Sequence, residues 1–272
     1  MQPLSPLIPN SHSGVTTLKE SRKRQCSGQI LVLAVLLVSL ILLSTQVYVF
    51  EVGISFVETE PSHVKDFVLA VRQGSKHVVV GSLVNITAEG YNSTLSTNLG
   101  RWMNLTSDLY QFGKPVLNFA VKNITPYADG VYLSWGANGL GVSSAYVDFN
   151  FTLSDRQVDI QLSYDVNITT SLVEEGVYRT LTGNWKQVNV TCNVMNEGTP
   201  ALAENVTIYY ENSGSWVPAD QQQNYELADY GNGTYLITFE VSILEEPINV
   251  SAQVHDLRLI YVQANVTCTQ IP

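Results

Sequence analysis

The sequence predicts an α+β ectodomain behind one N-terminal transmembrane helix, with two helices on an antiparallel sheet followed by a β-sandwich. Three observations predict it. An uncharged run, Ile30 to Phe50, follows the basic residues Lys19, Arg22, Lys23 and Arg24. Over residues 61–112 the hydrophobic period is that of a helix. From Pro115 onward the period falls to two, as in antiparallel strands with one wet face.

The apolar run reads ILVLAVLLVSLILLSTQVYVF, with seven leucines and no charge. At a rise of about 1.5 Å per residue it matches a hydrocarbon core of about 30 Å. Basic residues before it and Glu51 after it place the N-terminus inside. A cleaved secretory signal has a shorter apolar region and a small-x-small site, which Ser44-Thr45-Gln46 does not supply. The expected division is a basic cytoplasmic tail at 1–29, the transmembrane helix at 30–50, a membrane-proximal α+β domain at 51–175 and a sandwich domain at 176–272. Localisation is then the cell membrane, single-pass, with the C-terminal domains outside.

Charge follows the same division. Residues 1–29 carry four basic and one acidic residue, net +3, and residues 51–272 carry ten basic and twenty-three acidic, net −13. An acidic ectodomain argues against nucleic acid, whose phosphates require clustered Lys and Arg.

In the helical stretch Val64, Phe67, Val71, Val78, Leu83 and Ile86 fall mostly three, four and seven apart. Gly74 and the run Val78-Val79-Val80 weaken that pattern. After Gly90 a clearer helix starts, with Asn92 or Ser93 as its N-cap. Its stripe is Leu95, Leu99, Trp102, Leu109 and Phe112, and Gly113 and Pro115 end it.

Strands are expected at 115–122 and 130–136. Val147, Phe149, Phe151 and Leu153 then alternate with polar residues, as do Val158, Ile160, Leu162, Tyr164, Val166 and Ile168, with Asp155-Arg156 as the hairpin between. The first ectodomain ends near Glu175-Gly176 on this reading. Beyond it, alternating sets run through Val188–Val194, Val206–Tyr210, Tyr235–Val241, Ile248–Val254 and Ile260–Cys268. Five clear strands with an opener near 178–182 predict an Ig-like β-sandwich.

Residues 51–272 hold eleven Asn-x-Ser/Thr sequons, at Asn85, Asn92, Asn104, Asn123, Asn150, Asn167, Asn189, Asn205, Asn232, Asn249 and Asn265, and none precedes the apolar run. Their nineteen asparagines and thirty-five Ser/Thr predict about three by chance. An attached glycan faces solvent, and Asn150, Asn167, Asn189, Asn205, Asn249 and Asn265 all take the polar parity of their strands. Cys192 and Cys268 both lie on the outer side, where disulfides persist, and form the only intramolecular pair that respects this topology. Cys26 is expected as a free thiol inside.

No constellation assigns chemistry. The histidines His12, His63, His77 and His255 stand at no metal-ligand spacing, and His255-Asp256 point apart in a strand. There is no Gly-x-Ser-x-Gly elbow and no phosphate loop. Gly136–Gly141 reads as a hairpin connection. Glu174-Glu175 and Glu245-Glu246 sit in predicted loops, at no separation suited to glycoside chemistry. Asp220, Asp229 and Asp256 are the candidates for a calcium site at one end of the sandwich, without a DxDxDG loop. Catalytic, cofactor-binding and metal residues are therefore none, no cofactor is expected, and the chain is not expected to be an enzyme.

Residues 22–31, RKRQCSGQIL, resemble the N-terminus of archaeal type IV pilin-like proteins. The resemblance implies a peptidase cut between Gly28 and Gln29 and an apolar helix that serves as membrane anchor or filament core. Many members carry Glu at the fifth position after the cut; Leu33 stands here, which favours a protein kept in the membrane. Asn232-Gly233-Thr234-Tyr235 resembles the turn into a strand found in Ig-like and pre-albumin-like surface modules. The expected function is a membrane-anchored extracellular glycoprotein with a structural, adhesive or binding role at an archaeal-type envelope. Its partners would be the lipid bilayer and other envelope proteins or glycans. A pilin-like filament or pseudopilin subunit is the first alternative, and an ecto-enzyme of unknown reaction the second.

Overall fold

A computed structural model describes residues 19–109, 113–136, 138–154, 159–244 and 246–272, with side chains from 32–48 and from 64 onward among them. The Asp155-Arg156 hairpin, Phe112, Glu245 and His12 lie outside the described residues; at Cys26, Gly28, Gln29 and His63 only the helical backbone is described. The chain divides into two compact units, residues 1–66 and 67–272. Helix α1 (Lys19–Thr87) supplies the described part of the first unit.

The second unit is mostly antiparallel sheet. It holds the end of α1, helix α2 (Ser93–Leu109) and strands β1 (Lys114–Val121), β2 (Val131–Trp135), β3 (Leu140–Ser154), β4 (Asp159–Thr180) and β5 (Trp185–Asn196). There follow β6 (Thr199–Pro200), β7 (Ala203–Asn212), β8 (Ser215–Pro218), β9 (Gln223–Asp229), β10 (Thr234–Ser242), β11 (Asn249–Asp256), β12 (Tyr261–Thr267) and β13 (Thr269–Gln270). Among the described residues they make two sheets. The larger runs β1-β3-β4-β5-β10-β9, with β2 on β3, β6 on β5 and β13 on β4; the smaller runs β12-β11-β7-β8.

Strand β4 organises the unit. Its residues 159–173 pair with β3, its residues 170–180 pair with β5, and Val177 and Tyr178 also pair with β13 in parallel. One face of the large sheet is covered at both ends of this strand. Towards the β3 end, Phe151 meets Phe67 of α1 edge-on at 6.0 Å, and the Tyr164 hydroxyl lies 2.9 Å from Ser75 Oγ. Towards the β5 end, Leu172 and Tyr178 join Val188, Val190, Ile237, Phe239, Ile208, Val250, Val254 and Val262 in one core between the two sheets. The central strands β5, β10, β11 and β12 contribute every second residue to that core, as the pleat requires.

The helices dock by the same logic. Val71, Val79, Leu83 and Ile86 form the buried stripe of α1 in this unit, and Leu95 and Leu99 that of α2. Trp102 Nε1 donates to Ser75 Oγ and Asn98 Nδ2 donates to Ser82 Oγ, so polar bonds fix the register of the two helices.

The expected fold class is corrected in two respects. The chain is not an α+β domain followed by a separate Ig-like sandwich behind a membrane helix, but predominantly antiparallel sheet within one unit. The expected boundary at 175/176 falls inside β4. Glu174 and Gly176 occupy inward positions that carry apolar residues elsewhere on the strand, so the hydrophobic pattern breaks there while the strand continues. Among the described residues, moreover, no helix is long and apolar enough to cross a membrane. Of the expected span Ile30–Phe50, described side chains cover only residues 32–48. The large apolar ones there are between 53% and 68% exposed.

Candidate functional site

Four strands of the small sheet place one residue each in a row across its outer face. Asn249 of β11 stands opposite Thr267 of β12, and Glu211 of β7 stands opposite Trp216 of β8. The middle pair is joined directly, Asn249 Nδ2 donating to Glu211 Oε2 at 2.8 Å. Thr267 Oγ1 in turn donates to Asn249 Oδ1 at 2.8 Å. These residues face out because their neighbours Val250 and Tyr210 face the core. With Asn138, Asn265 and Val266 they line a cleft of about 440 Å³, within the size range of ligand sites.

The β2–β3 connection forms one wall. Gly139 N donates to the Asn265 carbonyl at 2.8 Å, and Asn265 N donates to the Gly136 carbonyl at 3.0 Å. Gly139 has φ +70°, and a Cβ there would strike the Glu174 carbonyl, so only glycine fits. Both backbone groups of Asn265 are thereby spent, and its side chain is held at the cleft. Its Oδ1 accepts from Gln263 Nε2 at 3.1 Å, while its Nδ2 has no partner among the described residues.

A second concentration of chemistry lies in the core. Glu174 of β4 stands opposite Cys192 of β5, and a Cβ on neighbouring Gly176 would meet Cys268 Sγ at 2.5 Å. Glu174 is 2% exposed, and among the described residues neither carboxyl oxygen has a hydrogen-bond partner. Burial pushes its pKa up to about 9, which the Ala252 backbone offsets only in part. Burial, and secondarily the Glu174 carboxyl, pushes the Cys268 thiol up to about 12 and raises Cys192 well above its ordinary value. Both cysteines are buried free thiols, so the expected Cys192–Cys268 bridge is not formed here. Cys192 sits inside the large sheet, whereas Cys268 hangs from the small one through its amide on the Ile248 carbonyl.

The third is Asp256, fully buried at the end of β11. Its Oδ2 accepts from Arg258 Nε at 2.7 Å and Thr170 Oγ1 at 2.9 Å; its Oδ1 accepts the Arg258 and Ile260 amides, each at 2.9 Å. Arg258 Nη1 continues to Glu197 Oε1 at 2.7 Å. Hydrogen bonds to these carboxylates, acting against burial, hold the guanidinium above its usual range. The assembly ties the β11–β12 turn to β4.

The sequence-predicted residues distribute as follows. None of the eleven sequon asparagines is buried, and the six on strands all point away from the core. Asn249 and Asn265 share the cleft; the other nine do not line it. His77 is exposed, and His255 packs on Tyr261 at 5.2 Å, on the opposite face from buried Asp256. Glu174-Glu175, expected in a loop, lies within β4 with one carboxylate inward and one outward. Asp256 is committed to Arg258, and among the described residues no group of three or more His, Cys, Asp or Glu could hold a metal ion. Missed in the sequence were Glu211 and Trp216, whose signal exists only across strands; Glu174 was singled out but misplaced, although the inward parity of Ile168, Thr170 and Leu172 marks its position.

No known protein family matches this chain, and neither does any curated protein or solved structure.

Proposed function

We propose that this protein is a cell-surface glycoprotein with a structural or adhesive role, held at the lipid bilayer by its apolar N-terminal segment with residues 67–272 outside. The observation that carries this reading is the placement of the sequons. Six sit on strands whose adjacent positions enter the core, and each takes the outward position. The sequons also stop at the apolar run, on whose other side the basic residues cluster. The bare apolar side chains at 32–48 supply the surface for a lipid contact. Relationship to Ig-like surface modules is supported for the C-terminal part by the sheet orders β4-β5-β10-β9 and β12-β11-β7-β8.

Intact mass and protease accessibility of the protein in whole cells test the reading. Glycan mass on a membrane-fraction protein that external protease trims is expected. An unmodified chain, or one released by a salt wash, overturns it.

The bare helix at 32–48 favours one further reading, a pilin-like filament subunit, because the same Val and Leu surface suits packing between copies of the helix. Deleting the gene and imaging the cell surface separates them. Loss of a filament establishes the subunit, and an unchanged set of filaments leaves the membrane-held protein.

A further inference from the structure

We propose that the cleft on the outer face of the small sheet is a saccharide seat, occupied by the protein's own glycan attached at Asn265. The inference rests on the glycoprotein reading above and adds where one glycan goes. Two of its lining residues, Asn265 and Thr267, are the first and third residues of a sequon. A glycan begun at Asn265 therefore starts inside the cleft. The acceptor nitrogen is ready for it: Asn265 Nδ2 has no partner among the described residues, while Oδ1 is held by Gln263.

The remaining lining has the chemistry of sugar recognition. A pyranose offers an apolar C–H face and a rim of hydroxyls. Trp216, 46% exposed, offers an indole face. Among the described residues Glu211 Oε1 and the Asn138 side-chain amide have no partners, and so offer an acceptor and a mixed donor–acceptor. Asn249, though also a sequon residue, is tied by Nδ2 to Glu211 and by Oδ1 to Thr267. It serves as the floor.

Distance decides which sugar meets the tryptophan. Strands β12 and β8 are three places apart in the sheet, or about 14 Å at about 4.8 Å per strand. A single pyranose does not bridge that, and a chain of about two or three does. The linkage is an N-glycosyl bond between Asn265 Nδ2 and the anomeric carbon of the first sugar. Its donor is a phosphate-activated, lipid-linked oligosaccharide. The bond from anomeric carbon to phosphate oxygen breaks, the phosphorylated lipid leaves, and the amide gives up one proton.

The test combines glycopeptide mapping with oxidative footprinting of tryptophan on the protein purified from its native host. Asn265 is expected to carry glycan, and Trp216 is expected to be protected in the wild type. In Asn265→Gln its oxidation should rise several-fold, whereas Asn205→Gln, which removes a different sequon on the same sheet, should leave it unchanged. Trp102 on α2 reports the fold and should oxidise equally in all three. Equal oxidation of Trp216 in wild type and Asn265→Gln overturns the inference, as does glycan on Asn249 in place of Asn265. A chain bare at Asn265 alone overturns only this inference, whereas one bare at all eleven sequons overturns the glycoprotein reading as well.

Discussion

Two carboxylates reach the interior beside β4 and are treated in opposite ways. Asp256 is 0% exposed and receives two backbone amides, a threonine hydroxyl and a guanidinium. Glu174 is 2% exposed, and among the described residues neither carboxyl oxygen has a hydrogen-bond partner, the Ala252 backbone offsetting the effect of burial only in part. Depth is the same, so depth does not decide the outcome; the supply of donors does. Asp256 sits where a strand ends and free amides of the turn are available, whereas Glu174 sits mid-strand, where the ladder of β3 and β5 has already used the amides around it. The first carboxylate joins two elements. The second is held as a neutral acid among two thiols.

The largest effect expected is at the satisfied site. Asp256→Ala leaves Arg258 half-buried beside Thr170 without its inner partner, and should cost about 3–5 kcal/mol in denaturant unfolding. A loss below about 1 kcal/mol would show that Glu197 and solvent replace Asp256 fully.

The next effect has the opposite sign. Glu174→Met removes an unpaired buried acid of similar volume, and should stabilise by about 1–3 kcal/mol at neutral pH. The pH dependence sharpens this. Between pH 4.5, the ordinary glutamate value, and about 9, folded Glu174 keeps a proton that the unfolded chain has released. Fewer protons are then bound in the unfolded state, so stability falls as pH rises across that window, by at most about 1.4 kcal/mol per pH unit. The contribution is fully present below the unfolded value and gone above the folded one. Wild-type and Glu174→Met unfolding curves measured across this range should converge at low pH and part as pH rises. Parallel curves would mean that Glu174 finds a partner in solution.

The smallest effect compares the two partners of one arginine. Glu197, 44% exposed at its side chain, meets Arg258 at the same 2.7 Å as Asp256 does. Glu197→Ala should nevertheless cost less than about 1 kcal/mol, because solvent replaces an exposed partner. A loss as large as that of Asp256→Ala would break the distinction between buried and exposed acceptors on which the comparison stands.

Much of the strand pattern was legible from parity, because core strands bury every second residue. Val188–Val194 and Tyr235–Val241 fall within β5 and β10, and Ile248–Val254 overlaps β11. Strands β8 and β9 were illegible for the complementary reason. Both are edge strands with few buried positions, and Pro218 closes the first. The helical region misled locally. Gly74 and Val78-Val79-Val80 read as a turn and a strand, yet α1 continues through them because Trp102 packs over Gly74, and tertiary packing outweighs propensity. The candidate cleft was half legible: the sequon marks Asn265, while Glu211 and Trp216 join it only once β7, β8, β11 and β12 lie side by side. Glu174 was hidden by its own charge, which reads as a loop in one dimension and as an exception to parity in three.

The pairing of residues 177–178 with 269–270 sets a timetable for this polypeptide as it is made. Strand β4 acquires β3 and β5 from segments close to it in the chain, yet its last open edge waits for β13, some ninety residues later. The wall that Gly136 and Gly139 form against Asn265 spans a still longer separation. Closure over such separations is slow relative to hairpin formation. A chain threaded outward from its N-terminal end would therefore hold a long, unfinished sheet edge in the open until residues 261–270 emerge. During that interval it is most exposed to pairing with a neighbouring copy, and asparagines later fixed within the sheet are still open to a modifying enzyme.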